Sequence, residues 1–432
     1  TATSNTTLIG YEAGRYATGS ANTFVGKEAG KGGTTSAPYS SGQYSVALGY
    51  QALKAFTSAN YSTAIGHSAG KAITTGNSNT LLGFGAGQSV STGYANTYLG
   101  VEAGQNNNGF DNVIIGRQAG NDATNTDKLV LIGNSAGADI NSADADGTVA
   151  IGWEAGRAIT SGQYNVAIGY HAGYSNLISN ENTYIGYQAG YGQLGTDSYG
   201  GSTFIGYRAG YSTSDSGFQR SVAIGAYAGD NSSNSRNTIV GYYAGRYAGA
   251  SNVVIGQQAG IASSGNSYDN ATIIGFAASA LNAGKSDLVA IGYNAAYSGG
   301  SSRGTYIGNS AGYSDVAAGT PYNLYMGHWT GYYNSAGTKN AYVGGFSGVY
   351  ATGSANTFLG FEAGRGASSA PYAAGGYNVA VGAEALKHFT TANRMVAIGY
   401  EAMTDVKDGQ DSVAIGYQAA YYNSSSYSVT IG

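Results

Sequence analysis

A short pattern of polar and apolar positions recurs along the whole chain. It reads Asn/Ser, Val/Thr, any residue, Ile/Leu/Val and Gly, and in most copies an aromatic residue, Glu/Gln, Ala and Gly follow. The residue three before this anchor glycine is Val or Thr in 23 of 25 copies, the exceptions being Leu324 and Ala341. This Val/Thr position and the Ile/Leu/Val position just before the anchor lie two residues apart, which is typical of one face of a β-strand. We therefore predict a strand of four or five residues in each copy, with these two positions facing inward.

Glycine ends each predicted strand. The anchors follow one another at spacings of 15 to 23 residues, and glycine lets the backbone turn where another side chain would clash. Alanine stands three after the anchor in 22 of 24 copies and is predicted to be a small inward residue. The variable spacing is expected to be absorbed by loops at 32–43, 192–201 and 366–376. The turn glycines that define the register include Gly10, Gly26, Gly49, Gly66, Gly225 and Gly416.

The repeat predicts an all-β fold. Val, Thr, Ile and Tyr favour strands, and glycine at this density would destabilise a helix by about 1 kcal/mol per occurrence. A strand-turn-strand unit of 15–23 residues is too small to bury its own apolar face, but it can do so by stacking on copies of itself. We predict a β-solenoid, a β-roll or β-helix, of about 24 coils that forms one continuous repeat domain over residues 1–432.

Composition excludes several other classes of protein. The 432 residues include 72 glycines, 3 prolines and no cysteine, only 10% are charged, and the net charge is −4. Collagen would need glycine at every third residue, and thiolate metal sites would need cysteine. The absence of a basic block argues against nucleic acid as a partner, and no apolar run approaches the roughly 20 residues of a membrane helix.

A longer repeat is superimposed on the short one. The segment 16–66 recurs at 350–399, with an offset of 334 and then 333 residues, and the stretch YATGSANTF is identical in both copies. We interpret this as a block repeated within a longer parent protein. The chain also stops in mid-repeat at Gly432, so we expect either further sequence or end-to-end stacking of subunits.

The short motifs resemble two families of surface fibres. SVALG and SVAIG, at residues 45–49, 221–225 and 412–416, resemble the head repeats of trimeric autotransporter adhesins, whose coils stack as a left-handed β-roll. The pattern NTxxGxxAG, at residues 22–30, 96–104 and 356–364, is similar to the stems of phage-type tail-fibre proteins. The resemblance implies trimerisation. The coils here are longer than those of the adhesin head, and no heptad stalk or anchor barrel is present.

The sequence offers little catalytic chemistry. His67, His171, His328 and His388 lie on distant coils, and Glu alternates with Gln two residues after the anchor, which favours hydrogen bonding to turn amides over proton transfer. No enzyme activity and no cofactor are predicted. A weak metal candidate is the acidic stretch of Asp139, Asp144 and Asp146, which lacks EF-hand spacing. We expect it to be a solvated loop.

Tyrosine is the residue that we expect to act outside the core, since there are 39. Stacked coils would place the aromatic residue after each anchor in one column. The column is either a ladder that packs coil on coil or an adhesive stripe for a partner chain or a glycan. Its predicted members are Tyr11, Tyr50, Trp153, Tyr170, Tyr187, Tyr207, Tyr293, Tyr400 and Tyr417.

The sequence argues against two other functions that solenoids can have. An ice-binding face needs exposed ranks of Thr, whereas Thr alternates here with Val at a position predicted to face inward, and polysaccharide-cleaving sites need charged clusters that are not visible. The sequence favours a non-enzymatic, extracellular or cell-surface structural fibre with adhesive character. Its predicted partner is itself, end to end as a filament or, alternatively, as a discrete trimeric adhesin head or tail-fibre segment that binds a receptor or glycan.

Overall fold

The computed structural model describes residues 5–33, 39–192, 200–212, 220–232, 235–262, 267–281, 285–316, 322–369, 372–422 and 425–432. Parts of the three predicted loops, at 34–38, 193–199 and 370–371, lie outside this description. The chain divides into two compact units, Thr1–Arg220 and Ser221–Gly432. Each is a parallel β-solenoid, so the predicted all-β solenoid fold is confirmed.

The described residues of unit 1 form twelve three-residue strands, and each pairs in parallel with the next along the chain. One 3-10 turn, Ala143–Ala145, interrupts the loops. The strands are β1 Thr7–Ile9, β2 Thr23–Val25, β3 Val46–Leu48, β4 Thr63–Ile65, β5 Thr80–Leu82, β6 Thr97–Leu99, β7 Val113–Ile115, β8 Val130–Ile132, β9 Val149–Ile151, β10 Val166–Ile168, β11 Thr183–Ile185 and β12 Thr203–Ile205.

Unit 2 repeats this arrangement with thirteen strands over its described ranges, again paired in parallel with their neighbours in sequence. They are β13 Val222–Ile224, β14 Thr238–Val240, β15 Val253–Ile255, β16 Thr272–Ile274, β17 Val289–Ile291, β18 Thr305–Ile307, β19 Leu324–Met326, β20 Ala341–Val343, β21 Thr357–Leu359, β22 Val379–Val381, β23 Val396–Ile398, β24 Val413–Ile415 and β25 Val429–Ile431.

The strands have three residues instead of the four or five predicted, and each described coil contributes one strand. A residue in the left-handed region stands five before the anchor, as at Tyr44 (φ 56°) and Tyr61 (φ 56°), and the anchor glycine itself has φ near 135°. These two positions turn the backbone, and the strand occupies the last three of the four residues between them. The rest of the coil consists of turns whose amides still bond to a neighbouring coil, as Tyr61 N–H does to the Gln43 carbonyl of the preceding coil at 3.1 Å.

The predicted orientation of the strand side chains was wrong. In every strand from β2 to β24 the middle residue is buried, and the two flanking residues are exposed or half-buried. The position that varies freely in sequence, Ala64 in β4 and Tyr98 in β6, therefore forms the core together with the alanine three after the anchor, such as Ala69. The Val/Thr and Ile/Leu rows face outward.

Asparagine stabilises the corner that precedes many of the strands. Asn96 is fully enclosed, its Oδ1 accepts the Asn112 N–H of the next coil at 3.1 Å, and its Nδ2 donates to the Gly109 carbonyl at 2.9 Å. The same ladder runs in unit 2 from Asn340 to Asn356 and from Asn356 to Asn378. The Asn/Ser position of the repeat thus satisfies backbone groups that the turn would leave unpaired. None of the described residues forms a helix long and apolar enough to cross a membrane.

Candidate functional site

The outward face of the strands is a regular surface rich in apolar side chains in each unit. In β3, Val46 is 38% and Leu48 45% exposed, and the same two rows continue through neighbouring strands at the pairing register, for example Val46 with Thr63 and Leu48 with Ile65. We call these two rows the strand face. A soluble monomer rarely leaves a contiguous aliphatic surface in water, so the strand face is a candidate interaction surface.

The predicted aromatic column is present as short stacks on the turn that follows the anchor. Tyr170, Tyr187 and Tyr207 stack nearly parallel with ring centroids 5.1 Å apart, and His67 lies between Tyr50 and Phe84 at 4.9 and 5.1 Å. All nine predicted members are 39–69% exposed. The rings therefore pack coil on coil and also present one edge to solvent.

Other members of the column have different neighbours. Tyr293 stacks on Phe276 at 5.4 Å, and Tyr400 stacks on Tyr417 at 5.5 Å. The Lys27 ammonium lies 5.8 Å from the ring centroids of both Tyr11 and Tyr50, so a cation–π contact separates these two rings. Trp153 is half exposed, and its carbonyl accepts the backbone N–H of His171.

A second aromatic column lies five residues after the anchor and escaped the sequence analysis. Tyr174, Tyr191 and Tyr211 stack at 5.1 and 5.4 Å in unit 1. In unit 2 the corresponding stack consists of three further tyrosines with centroids 5.1 and 4.7 Å apart, namely Tyr297, Tyr313 and Tyr332. Counting residue types at that position of the repeat would have found the column.

Several tyrosines belong to the core instead of the surface. Tyr306 occupies the middle of β18, and its hydroxyl donates to the buried Asp315 carboxylate at 2.5 Å. Asn323 Nδ2 donates to the same carboxylate at 3.0 Å. Burial, and then the charge of Asp315, raises the pKa of Tyr306 well above its ordinary value. This buried polar group was not predicted, because the middle strand position shows no preference in sequence.

The recurrent glutamates bond to side chains, whereas the sequence predicted hydrogen bonds to turn amides. The Glu28 carboxylate accepts from Lys54 Nζ at 2.9 Å, from Gln51 Nε2 at 2.7 Å and from Lys31 Nζ at 3.0 Å. These hydrogen bonds, with Lys54 first, lower the pKa of Glu28 to about 2. Gln118 to Glu102 and Gln418 to Glu401 repeat the Gln-to-Glu bond between coils, which explains why the two residue types alternate.

The three aspartates of the weak metal candidate have separate partners. Asp139 faces the Arg157 guanidinium at 3.9 Å, Asp144 accepts from the Ser142 hydroxyl at 3.3 Å, and Asp146 accepts the Asp127 N–H at 2.8 Å. Burial raises the pKa of Asp139, although Arg157 opposes the shift. Within the described ranges, no group of three or more His, Asp or Glu side chains is placed to hold a metal ion.

Comparison with known proteins gives one match, over the segment that contains β3 and β4. Two copies of the YadA head domain repeat match residues 40–69. The resemblance to adhesin head repeats predicted from SVALG is thereby confirmed. No curated protein matches the chain. Solenoids built from repeats of this kind are typically structural and non-enzymatic.

Proposed function

We propose that this chain is a non-enzymatic structural segment of a cell-surface adhesin, and that three copies associate side by side through the strand face. The exposed Val/Thr and Ile/Leu rows are the observation that carries the proposal. The number of copies comes from the trimeric adhesin heads that the repeat resembles. In this arrangement the turns, with their tyrosine columns and loops, remain outside and meet the surroundings.

The proposal accounts for the inverted strand pattern. Side chains at the two outward positions are nearly always Val, Thr, Ile or Leu, although neither position supports the core of its own coil. Burying apolar surface stabilises an assembly by about 25 cal/mol per Å², and every coil adds two outward side chains to the surface that would be buried. The outward residue just before the anchor is apolar in all 25 copies, which suits a surface between copies better than a surface left in water.

Sedimentation equilibrium of paired variants tests the assembly. Leu82→Glu with Leu99→Glu places two carboxylates on the strand face, where association would bury them without counter-ions at a cost of several kcal/mol each. We expect the parent protein to sediment at three times the chain mass. For this variant, we expect the dissociation constant of the trimer to be at least tenfold higher.

The control variant changes the next outward residues of the same two coils. Phe84→Glu with Val101→Glu adds the same charge on the turn, off the strand face, and is expected to stay trimeric. Equal dissociation of the two variants, or a monomeric parent protein at micromolar concentration, would contradict the proposal. Particles of indefinite length would instead support the end-to-end filament.

A further inference from the structure

An open groove with a volume of about 610 Å³ lies on unit 1, on the turn that follows the anchor. Lys31, Lys54 and Lys71 come from three successive coils and line it together. Their backbones are in register, since Ala55 N–H donates to the Lys71 carbonyl at 3.0 Å and Gly32 N–H donates to the Lys54 carbonyl at 3.1 Å. Successive coils are about 4.8 Å apart, so the three side chains form a row. We call this site the lysine groove.

The positive charge of the lysine groove is only partly compensated. Lys31 and Lys54 share the Glu28 carboxylate, and Lys31 also contacts Glu12. Lys71 has no carboxylate within ion-pair distance among the described residues. The reason is visible in sequence: no Asp or Glu occurs between Glu28 and Glu102, in a chain whose net charge is −4.

The second copy of the long repeat supplies an internal comparison. Unit 2 has a groove of about 480 Å³ at the equivalent turn, lined by His388, Asp405 and Tyr422 among others. There Lys387, the counterpart of Lys54, contacts both Glu362 and Glu384. Glu28 of the first copy is the counterpart of Glu362, but the counterpart of Glu384 is the neutral Gln51. Gln51, Ser68, Lys71 and Ala72 of the first copy correspond to Glu384, Glu401, Thr404 and Asp405 of the second.

We propose that the lysine groove binds an acidic oligosaccharide through its carboxylate or sulfate groups. This inference rests on the adhesive part of the proposed function and gives it a ligand class. Amines repeated at the coil spacing suit a linear ligand that carries an anionic group on every sugar or on every second sugar. Gly33, Ala55 and Ala72 leave the floor open, and Gln88 and Ser89 offer an amide and a hydroxyl to sugar hydroxyls.

Fluorescence anisotropy with a labelled hexasaccharide from heparin tests the site on the full chain. We expect saturable binding that weakens as salt is added, because the contacts are ionic. Lys54→Gln with Lys71→Gln should weaken binding at least tenfold. Ser68→Glu with Ala72→Asp, which copies the carboxylates of the second groove, should do the same without removing a lysine. Lys407→Gln, in the second groove, should change binding less than twofold.

Competition identifies the anionic group. An unlabelled hyaluronan hexasaccharide, which carries only carboxylates, should compete if carboxylates suffice, and only the sulfated hexasaccharide should compete if sulfate is required. Neutral cellohexaose should not compete. The inference is overturned if the parent protein does not bind, if the variants bind as the parent does, or if a polyglutamate peptide competes equally well. Sedimentation of the same variants separates this failure from failure of the assembly, which the groove variants should leave intact.

Discussion

At the residue scale, the anchor glycines determine how closely the coils can stack. Gly26 has φ 131°, and a Cβ there would lie 2.5 Å from the carbonyl oxygen of Gly49 on the next coil. The anchors therefore form a column of direct backbone contacts with no room for a side chain. The sequence predicts these positions well, because a steric requirement at one residue permits one residue type.

Adjacent glycines in unit 2 provide a matched test of this column. Gly344 has φ 130° and a Cβ on it would meet the Gly360 carbonyl oxygen at 2.3 Å, whereas a Cβ on Gly345 would meet nothing closer than the Phe361 ring at 3.6 Å. We expect Gly344→Ala to lower the free energy of unfolding by about 3 kcal/mol and Gly345→Ala to change it by less than about 0.5 kcal/mol. Urea denaturation followed by circular dichroism, at one protein concentration, measures both. Similar values for the two variants would contradict the steric account.

At the element scale, the sequence predicted the spacing of the coils and their β-structure correctly. It did not predict which strand side chains face the interior. Alternation shows which residues share a face, and it does not show which face is inside. The two regular apolar positions suggested the core, yet the core is formed by the variable middle residue of each strand. That residue can be as small as Ala64 or as large as Tyr98, because each coil adjusts to its own neighbours. Likewise the lysine groove and the Asp315 site depend on contacts between coils, which no single repeat displays.

The ion-pair ladder between coils makes stability depend on pH. The pKa of Glu28 falls from 4.5 to about 2 on folding, so its ionised form is stabilised in the native state. That contribution is complete above the unfolded pKa and is lost as the pH falls through about 2. We expect Glu28→Gln to melt at a lower temperature than the parent near neutral pH, with a difference that shrinks below about pH 4.5. Thermal melts over this range measure it, and a difference independent of pH would show that the ladder contributes no ionic stabilisation.

At the scale of the whole molecule, each unit presents two kinds of surface. The strand face repeats Val or Thr and an aliphatic residue at nearly every strand, while the turns vary from coil to coil and carry the tyrosine columns and, in unit 1, the lysine groove. A regular surface suits association between identical copies, and a variable one suits ligands. The sequence alone indicated self-association through the resemblance to adhesin heads, but it assigned the strand face to the interior.

Cysteine labelling of the assembled protein tests the central claim that the strand face is buried between copies. The chain has no cysteine, so Val113→Cys on the strand face and Val101→Cys on the turn each introduce a single thiol. The two valines are 36% and 42% exposed in the isolated chain. The account predicts that a maleimide reacts at least tenfold more slowly at position 113 than at position 101 in the native assembly, and equally fast at both after denaturation. Equal native rates would contradict it.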